Sequence, residues 1–442
     1  MDGYKVTNNP FNFEMVWHWQ ALDEHPPLYY ALLHFICSFF HNTLTKWTGL
    51  IINIISFIVI ECFIYIMTKN LTQSRLSAAF VTLLYGINPT IIQYSLMIRM
   101  YMMLGVIFIG FVHFAYKFIQ KFEFKYLVGL YFVTVIGGLT NYFFYVFLVI
   151  FCICMIFLFV LSRLDIKHLF KAVSTLFIAI ITNLVIFPYT LELFFQDKNS
   201  VMVAADNFSN YFISLDRLVG MLQLSPFKMF GTLFLLAFIV MSLLTFRKKS
   251  IKLKTQYVIV IVITYVTYFS LISTLAFTLH YRFVSPIDSL LFIALGYSVN
   301  LWIQHYNLNL NKSVLLLGIF VVCSLTVTGI NKLQFMMYDP LIIANDNKGN
   351  NLVVFSNKGK ARYEIDVIFM ERDKYGFVYN TDGTAVNREE SDLYWMEESI
   401  IYADSSFTID AIENWLQNNS SLSTLIDLKT SSHGYHIFKA VR

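Results

Sequence analysis

Ten apolar blocks, each about long enough to cross a bilayer, leave this 442-residue chain few ways to fold. A spanning helix needs about 20 mostly apolar residues. Inside the hydrocarbon every backbone polar group must be satisfied within the span, so such blocks read as helices. The blocks predict spans at roughly 47–68, 75–92, 99–118, 125–140, 142–162, 167–188, 227–246, 255–278, 283–304 and 312–331. A composition that is 57% hydrophobic and only 14% charged excludes a soluble globular protein. Every second loop is basic: Lys69 and Arg75; Lys117, Lys121 and Lys125; Arg163, Lys167 and Lys171; Arg247, Lys248, Lys249, Lys252 and Lys254; then Lys312. Those loops are cytoplasmic by the positive-inside rule, and the N-terminal 46 residues and the C-terminal tail are extracytoplasmic.

That topology bears on the chain before Trp47. The apolar stretch from Leu28 to Phe40 is 13 residues long, so it lies along or dips into the outer face and does not span. A chain that begins outside needs a segment to carry it there, and the expectation is that an N-terminal transmembrane helix precedes this sequence. Residues 1–46 thus form a first outer loop with a juxtamembrane helix, and 47–331 form the transmembrane domain. Residues 332–442 return to soluble-domain composition. Short strands are expected at 352–355, 365–369 and 436–438, with a capped helix from Thr408 to Leu416 whose apolar face is Ile409, Ile412 and Leu416. This is a small α/β domain, and its acids and aromatics read as surface and core. The five cysteines all fall in apolar segments and read as small core residues.

The polar residues that interrupt the apolar pattern gather at the outer ends of the helices. Asp23-Glu24-His25 runs into Pro26-Pro27, whose rings fix φ and bar a helix from continuing through them, so the acids sit in an extended segment that feeds the Leu28 helix. Arg99 and Tyr101 open the third span; Asn141 and Tyr142 lie at the turn between the fourth and fifth; His280, Tyr281 and Arg282 open the ninth. Two arginines and a histidine facing an acidic segment suit a lipid phosphate, with a carboxylate as general base. The plainer alternative is that the arginines snorkel to headgroups and the tyrosines belong to the interfacial belt. The outer loop 189–226, with Asp197, Asp206, Asp216 and Arg217, has the length of a lid or acceptor platform, or of a solvated excursion. Mid-helix charges are almost absent apart from Glu61, which favours chemistry at one face over a transport path.

Asp23-Glu24-His25-Pro26-Pro27-Leu28-Tyr29-Tyr30 resembles the D-x-H-P-P-L-Y-Y signature of the protein O-mannosyltransferase-like GT-C glycosyltransferases, in their bacterial RgtA/B/C/D-like branch. Arg99-Met100-Tyr101 resembles that family's A-R-M-Y segment, and Tyr281-Arg282-Phe283-Val284-Ser285-Pro286 its late R-Y-x-x-P segment. The three occur in the expected order over residues 23 to about 300. The resemblance implies an all-α polytopic GT-C fold with outer juxtamembrane helices. It also implies inverting transfer of a sugar from a polyprenyl-phosphate donor, such as an undecaprenyl-phosphate sugar, to a cell-wall glycan, teichoic acid or glycolipid outside a bacterial plasma membrane.

On that resemblance Asp23 is the base, Glu24 its understudy, and His25 orients the carboxylate or a divalent ion. Arg99, Tyr101, His280 and Arg282 hold the lipid phosphate, while Asn141 and Tyr142 contact acceptor or donor. No nucleic acid partner is implied. The chain departs from the family in three places. The family's usual Asp-Glu pair after its first transmembrane helix is absent, its Gln-Glu-Ala before the arginine reads Leu96-Met97-Ile98, and its histidine at the fourth-to-fifth turn is Asn141. The competing expectations are an inactive remnant or accessory protein of the same fold, and a lipid-linked glycan flippase or transporter.

Overall fold

The computed structural model describes residues 10–22, 25–40, 46–191, 211–230, 253–276, 280–315, 317–318, 321, 351–355, 375–381, 384–387, 398–404, 407–419, 421–432 and 435–441. The chain forms two compact units, one within residues 6–333 and one within 334–442.

The first unit is helical. Helices α1 (Phe13–Leu22) and α2 (Leu28–Phe39) precede α3 (Trp47–Thr72), and α4 (Arg75–Gly86) is followed by α5 (Pro89–Ser95). Then come α6 (Tyr101–Lys121), α7 (Phe124–Thr140), α8 (Phe143–Leu161) and α9 (Ile166–Ile186). Beyond them lie α10 (Tyr211–Leu224), α11 (Pro226–Phe230), α12 (Leu253–Leu275) and α13 (Asp288–His305). Six helices among the described residues are long and apolar enough to cross a membrane, or seven if the bent pair α4 and α5 is one span. The chain is a multi-pass membrane protein. Of the ten expected spans, most of 227–246 and of 312–331 lies outside the described residues, and α7 is a shorter apolar helix of 17 residues.

Burial orders these helices. In α13 89% of the most apolar window is buried in the protein, against 17% in α9. The first is therefore the central post of the bundle, and the second a rim helix whose side chains Phe170, Phe177 and Val185 are left to lipid. An aromatic stack runs through the middle: Phe108 lies on Phe147 with ring centroids 4.1 Å apart, and Tyr268 meets Phe108 edge-on at 5.4 Å. The basic loop residues Lys69, Arg75, Lys121, Arg163 and Lys254 share one end of the bundle. The starts of α3, α6, α8 and α13 share the other.

One expected span is bent. The block 75–92, read as a single span, is broken by a 60° bend between Gly86 and Pro89. Pro89 has no N–H to continue the ladder. The Asn88 Oδ1 instead accepts from the backbone N–H of Thr90 at 3.1 Å and of Ile91 at 3.4 Å, starting a new helix in a new direction. Asn88 Nδ2 donates to the Met229 carbonyl at 3.1 Å and so ties the break to α11. The ninth span likewise opens with two 3-10 turns, Tyr281–Phe283 and Ser285–Ile287, before α13 begins.

The second unit is a six-stranded mixed sheet of order β3-β2-β1-β4-β6-β5. Its strands are β1 (Asn351–Phe355), β2 (Tyr375–Thr381), β3 (Thr384–Asn387), β4 (Glu398–Asp404), β5 (Thr424–Ser432) and β6 (Tyr435–Val441). β1 runs parallel to both β2 and β4, while β6 is antiparallel to β4 and β5. Helix α14 (Ile409–Asn419) is capped by the Thr408 hydroxyl, which accepts from Ala411 N–H. Its buried face is Ile412, Trp415 and Leu416, packed with Phe355 and Phe438; Ile409, expected on that face, is half exposed. The strand expected at 365–369 lies outside the described residues.

Candidate functional site

The end of the bundle opposite the basic loops carries the polar residues singled out in the sequence. Asp23 and Glu24 lie outside the described residues. His25 is half-buried, with its ring 6.3 Å from that of Tyr30. Pro26 and Pro27 are buried beneath it, and the Pro27 carbonyl accepts from Ala31 N–H at 2.8 Å, so α2 starts directly out of the proline pair. The second residue of that helix, Tyr29, is 1% exposed, and its hydroxyl has no hydrogen-bond partner among the described residues. Burial pushes the Tyr29 phenol up, with Tyr30 adding to the rise and Arg99 opposing it, which places the Arg99 guanidinium within electrostatic reach of α2.

Arg99 ends a short link between α5 and α6 and is half-buried. Its backbone N–H donates to the Met97 carbonyl at 2.8 Å. Two residues on, Tyr101 is buried at the start of α6, and both Arg282 and Arg99 act electrostatically on its hydroxyl. Arg99, Arg282 and Tyr30, from three motifs far apart in sequence, all act electrostatically on the Tyr101 hydroxyl.

Arg282 reaches this point on a rigid turn. Its Cζ lies 4.8 Å from the centroid of the Phe283 ring, a cation–π contact. The Phe283 ring in turn meets Tyr101 at 5.8 Å and Phe143 at 5.6 Å. The Arg282 Nε is buried and has no hydrogen-bond partner among the described residues. His280 does a different job from the one its charge suggests. Its Nδ1 accepts from the Arg282 backbone N–H at 3.2 Å and so caps the 3-10 turn. Burial, reinforced by Arg282, pulls the imidazole down to about 4, so the ring that caps the turn is neutral.

Asn141 and Tyr142 are brought to the same end through Phe143. The Asn141 Oδ1 accepts from Phe143 N–H at 2.8 Å, and the side chain is thus occupied in turning α7 into α8. The Tyr142 hydroxyl lies 3.4 Å from the Thr190 Oγ1, at the far end of α9.

Asp288 and Asn53, which shape this region, escaped the sequence reading. Asp288 is fully buried at the start of α13, accepting from the hydroxyls of Tyr281 at 2.7 Å and Tyr265 at 3.3 Å. The acid is hidden because two tyrosines enclose it. Asn53, fully buried in α3, donates to the carbonyls of Ser95 and Met97. Arg217, in the loop read as a lid or platform, sits on α10 and donates to the Ser273 and Ala276 carbonyls, closing the end of α12. Asp197 and Asp206 of that loop lie outside the described residues. Among the described residues no cluster of three metal-ligating side chains occurs.

Neither a family model nor a curated protein sequence matches the chain. Solved structures do. ArnT from Cupriavidus metallidurans bound to undecaprenyl phosphate aligns with a TM-score of 0.51 at 10% identity, over 99% of this chain and 94% of that one. The apo form of the same protein aligns with a TM-score of 0.52 at 11% identity, with the same coverage. ArnT is a GT-C glycosyltransferase, and identity this low carries the fold alone. The chain is an all-α polytopic membrane protein of the GT-C fold with a small C-terminal strand-containing domain.

Proposed function

We propose that this protein is an integral membrane glycosyltransferase. It moves a sugar from a polyprenyl-phosphate donor to a cell-envelope acceptor at the outer face of a bacterial plasma membrane. The observation that carries this reading is the pair Arg99 and Arg282, which come from distant parts of the chain and both act electrostatically on the Tyr101 hydroxyl, the Arg282 guanidinium lying 4.8 Å from the Phe283 ring that meets Tyr101. Two guanidinium groups at the rim of a bilayer fit a phosphate whose lipid tail stays in the membrane. The ArnT complex with undecaprenyl phosphate supports this choice of ligand, since the same fold holds such a lipid there.

The chemistry follows from the donor. An acceptor hydroxyl attacks the anomeric carbon from the face opposite the phosphate. The bond from that carbon to the phosphate oxygen breaks with inversion, and polyprenyl phosphate leaves with the bonding electrons. The acceptor's proton passes to a carboxylate, for which Asp23 is the assignment and Glu24 the reserve. His25 orients that carboxylate or an associated divalent ion. Arg99 and Arg282 stabilise the charge that grows on the leaving phosphate, with Tyr101 between them. Asn141 and Tyr142 border the acceptor or donor path, the acceptor being a wall glycan, a teichoic acid or a glycolipid. On this reading the domain at 332–442 is extracytoplasmic.

The test is sugar transfer from a polyprenyl-phosphate sugar in proteoliposomes. Asp23→Asn is expected to abolish transfer while binding of undecaprenyl phosphate persists, and Arg282→Ala to weaken that binding. Transfer that survives Asp23→Asn refutes the base assignment. Binding indifferent to both arginines refutes the phosphate site.

A further inference from the structure

Asn53 is an expensive residue to place in a spanning helix. Its side chain is fully buried, and an amide without partners in that setting costs several kcal/mol. It spends its two N–H groups on the carbonyls of Ser95, at 3.0 Å, and of Met97. Both carbonyls belong to the frayed end of α5, where a helix leaves acceptors without intrahelical donors. The Met97 carbonyl is also the acceptor for the Arg99 N–H, so Asn53 grips the very peptide on which Arg99 is hung.

A second observation comes from Gly49, one turn earlier on the same face of α3. Any Cβ at that position would run into the side chain of Ile98, the residue before Arg99. The helix therefore presents a notch followed by a double donor. Ile98 enters the notch, and the Ser95–Met97 turn is held by the donor. Four residues apart on one helix, these features fix both the height and the rotation of the link from α5 to α6.

We infer that Gly49 and Asn53 form a socket in α3 that positions Arg99 against the lipid phosphate. Neither residue touches the phosphate; both act through the turn. The inference rests on the reading of Arg99 as a phosphate-binding residue. It goes further by assigning that residue's placement to a helix with no recognised motif.

A double-mutant cycle decides it, with undecaprenyl phosphate as the probe and binding measured on the full chain purified in detergent. Asn53→Ala is expected to weaken binding about tenfold, as Arg99→Ala does, and the double variant to bind no worse than Arg99→Ala alone. A purely structural role predicts a lower melting temperature without this coupling. Full additivity, or unchanged binding in Asn53→Ala, overturns the inference while the phosphate site stands. An Arg99→Ala that binds normally overturns the phosphate role of Arg99 and the inference with it. Should Asn53→Ala fail to fold, Gly49→Ala serves: it is expected to weaken binding, and adding Ile98→Ala to restore it by emptying the notch. Failure of that restoration rejects the socket.

Discussion

At the scale of single residues the site is built from side chains that do less obvious work than their charges suggest. His280 is the clearest case. Its ordinary value near 6.5 falls to about 4 in the folded protein, because burial and Arg282 both oppose a second proton. A histidine held below its unfolded value contributes stability that is whole above pH 6.5 and is lost as the pH falls from there toward 4. Protonation also removes the lone pair on Nδ1 that accepts the Arg282 N–H. The expected outcome is that the melting temperature and undecaprenyl-phosphate affinity both decline between pH 6.5 and 4.5. His280→Asn, which keeps an accepting cap but does not titrate, should flatten that decline; an unaltered pH profile in the variant would remove His280 as its origin. Asp288 gives a second prediction. Asp288→Ala strands the hydroxyls of Tyr281 and Tyr265, at about 1–3 kcal/mol for each buried orphan, and a large drop in thermal stability is expected. Replacing both tyrosines by phenylalanine in the same background should recover part of it. Arg99 and Arg282 stand out in the sequence because each is a cation at the edge of an apolar block. Asp288 and Asn53 do not, since a polar residue within such a block reveals its worth only through partners more than one helix away in the fold, or seven residues off along a turn.

Between elements the informative points are the breaks. The bend from α4 to α5 lets the chain reach the rim of the bundle and turn into the link that carries Arg99. Asn88 makes that bend specific by capping α5 and by reaching across to α11. Asn88→Ala is expected to destabilise the protein by about 1–2 kcal/mol, the usual worth of an N-cap side chain, through α5 first. Hydrogen exchange should show faster opening at Thr90 and Ile91 than in α6, and equal protection in both variants would count against the cap. Pro89 was visible in the sequence, yet the apolar pattern continued on both sides of it. A proline within a span is compatible with a modest kink as well as with a full change of direction, and only the Asn88 bonds decide between them. The same limit applied at Ser285-Pro286, where two 3-10 turns replace the first residues of an expected helix. The strands β2 to β5 were missed for another reason. Their apolar residues are short runs without regular alternation, and β1, flanked on both sides by parallel partners, is set by pairings distant in sequence.

For the molecule as a whole, apolar block lengths gave the fold class, and the alternation of basic loops predicts its direction. Both are averages over many residues and so are robust to any single misreading. Orientation deserves the most direct test, because the proposed reaction requires the Arg99 and Arg282 end to face the compartment where the acceptor resides. In the structure the start of α3 belongs to that end, and Arg163, after α8, belongs to the other. With the native cysteines replaced by serine, single cysteines at Lys46, Arg163 and Asn414 report the sidedness through a maleimide that cannot cross membranes. All three positions are exposed in the structure. Lys46→Cys is expected to react in intact cells and Arg163→Cys only after permeabilisation, the separation being complete in practice because the bilayer between them excludes a charged reagent. Asn414→Cys on α14 should behave like Lys46→Cys, as a C-terminal domain on the outer side requires. The reverse pattern at positions 46 and 163 would put the arginine pair in the cytoplasm and sink the proposed outer-face transfer. A protected position 414 beside a reactive position 46 would instead leave the arginine site where it is and move only the C-terminal domain. That result would deny the domain any part in receiving an extracytoplasmic acceptor.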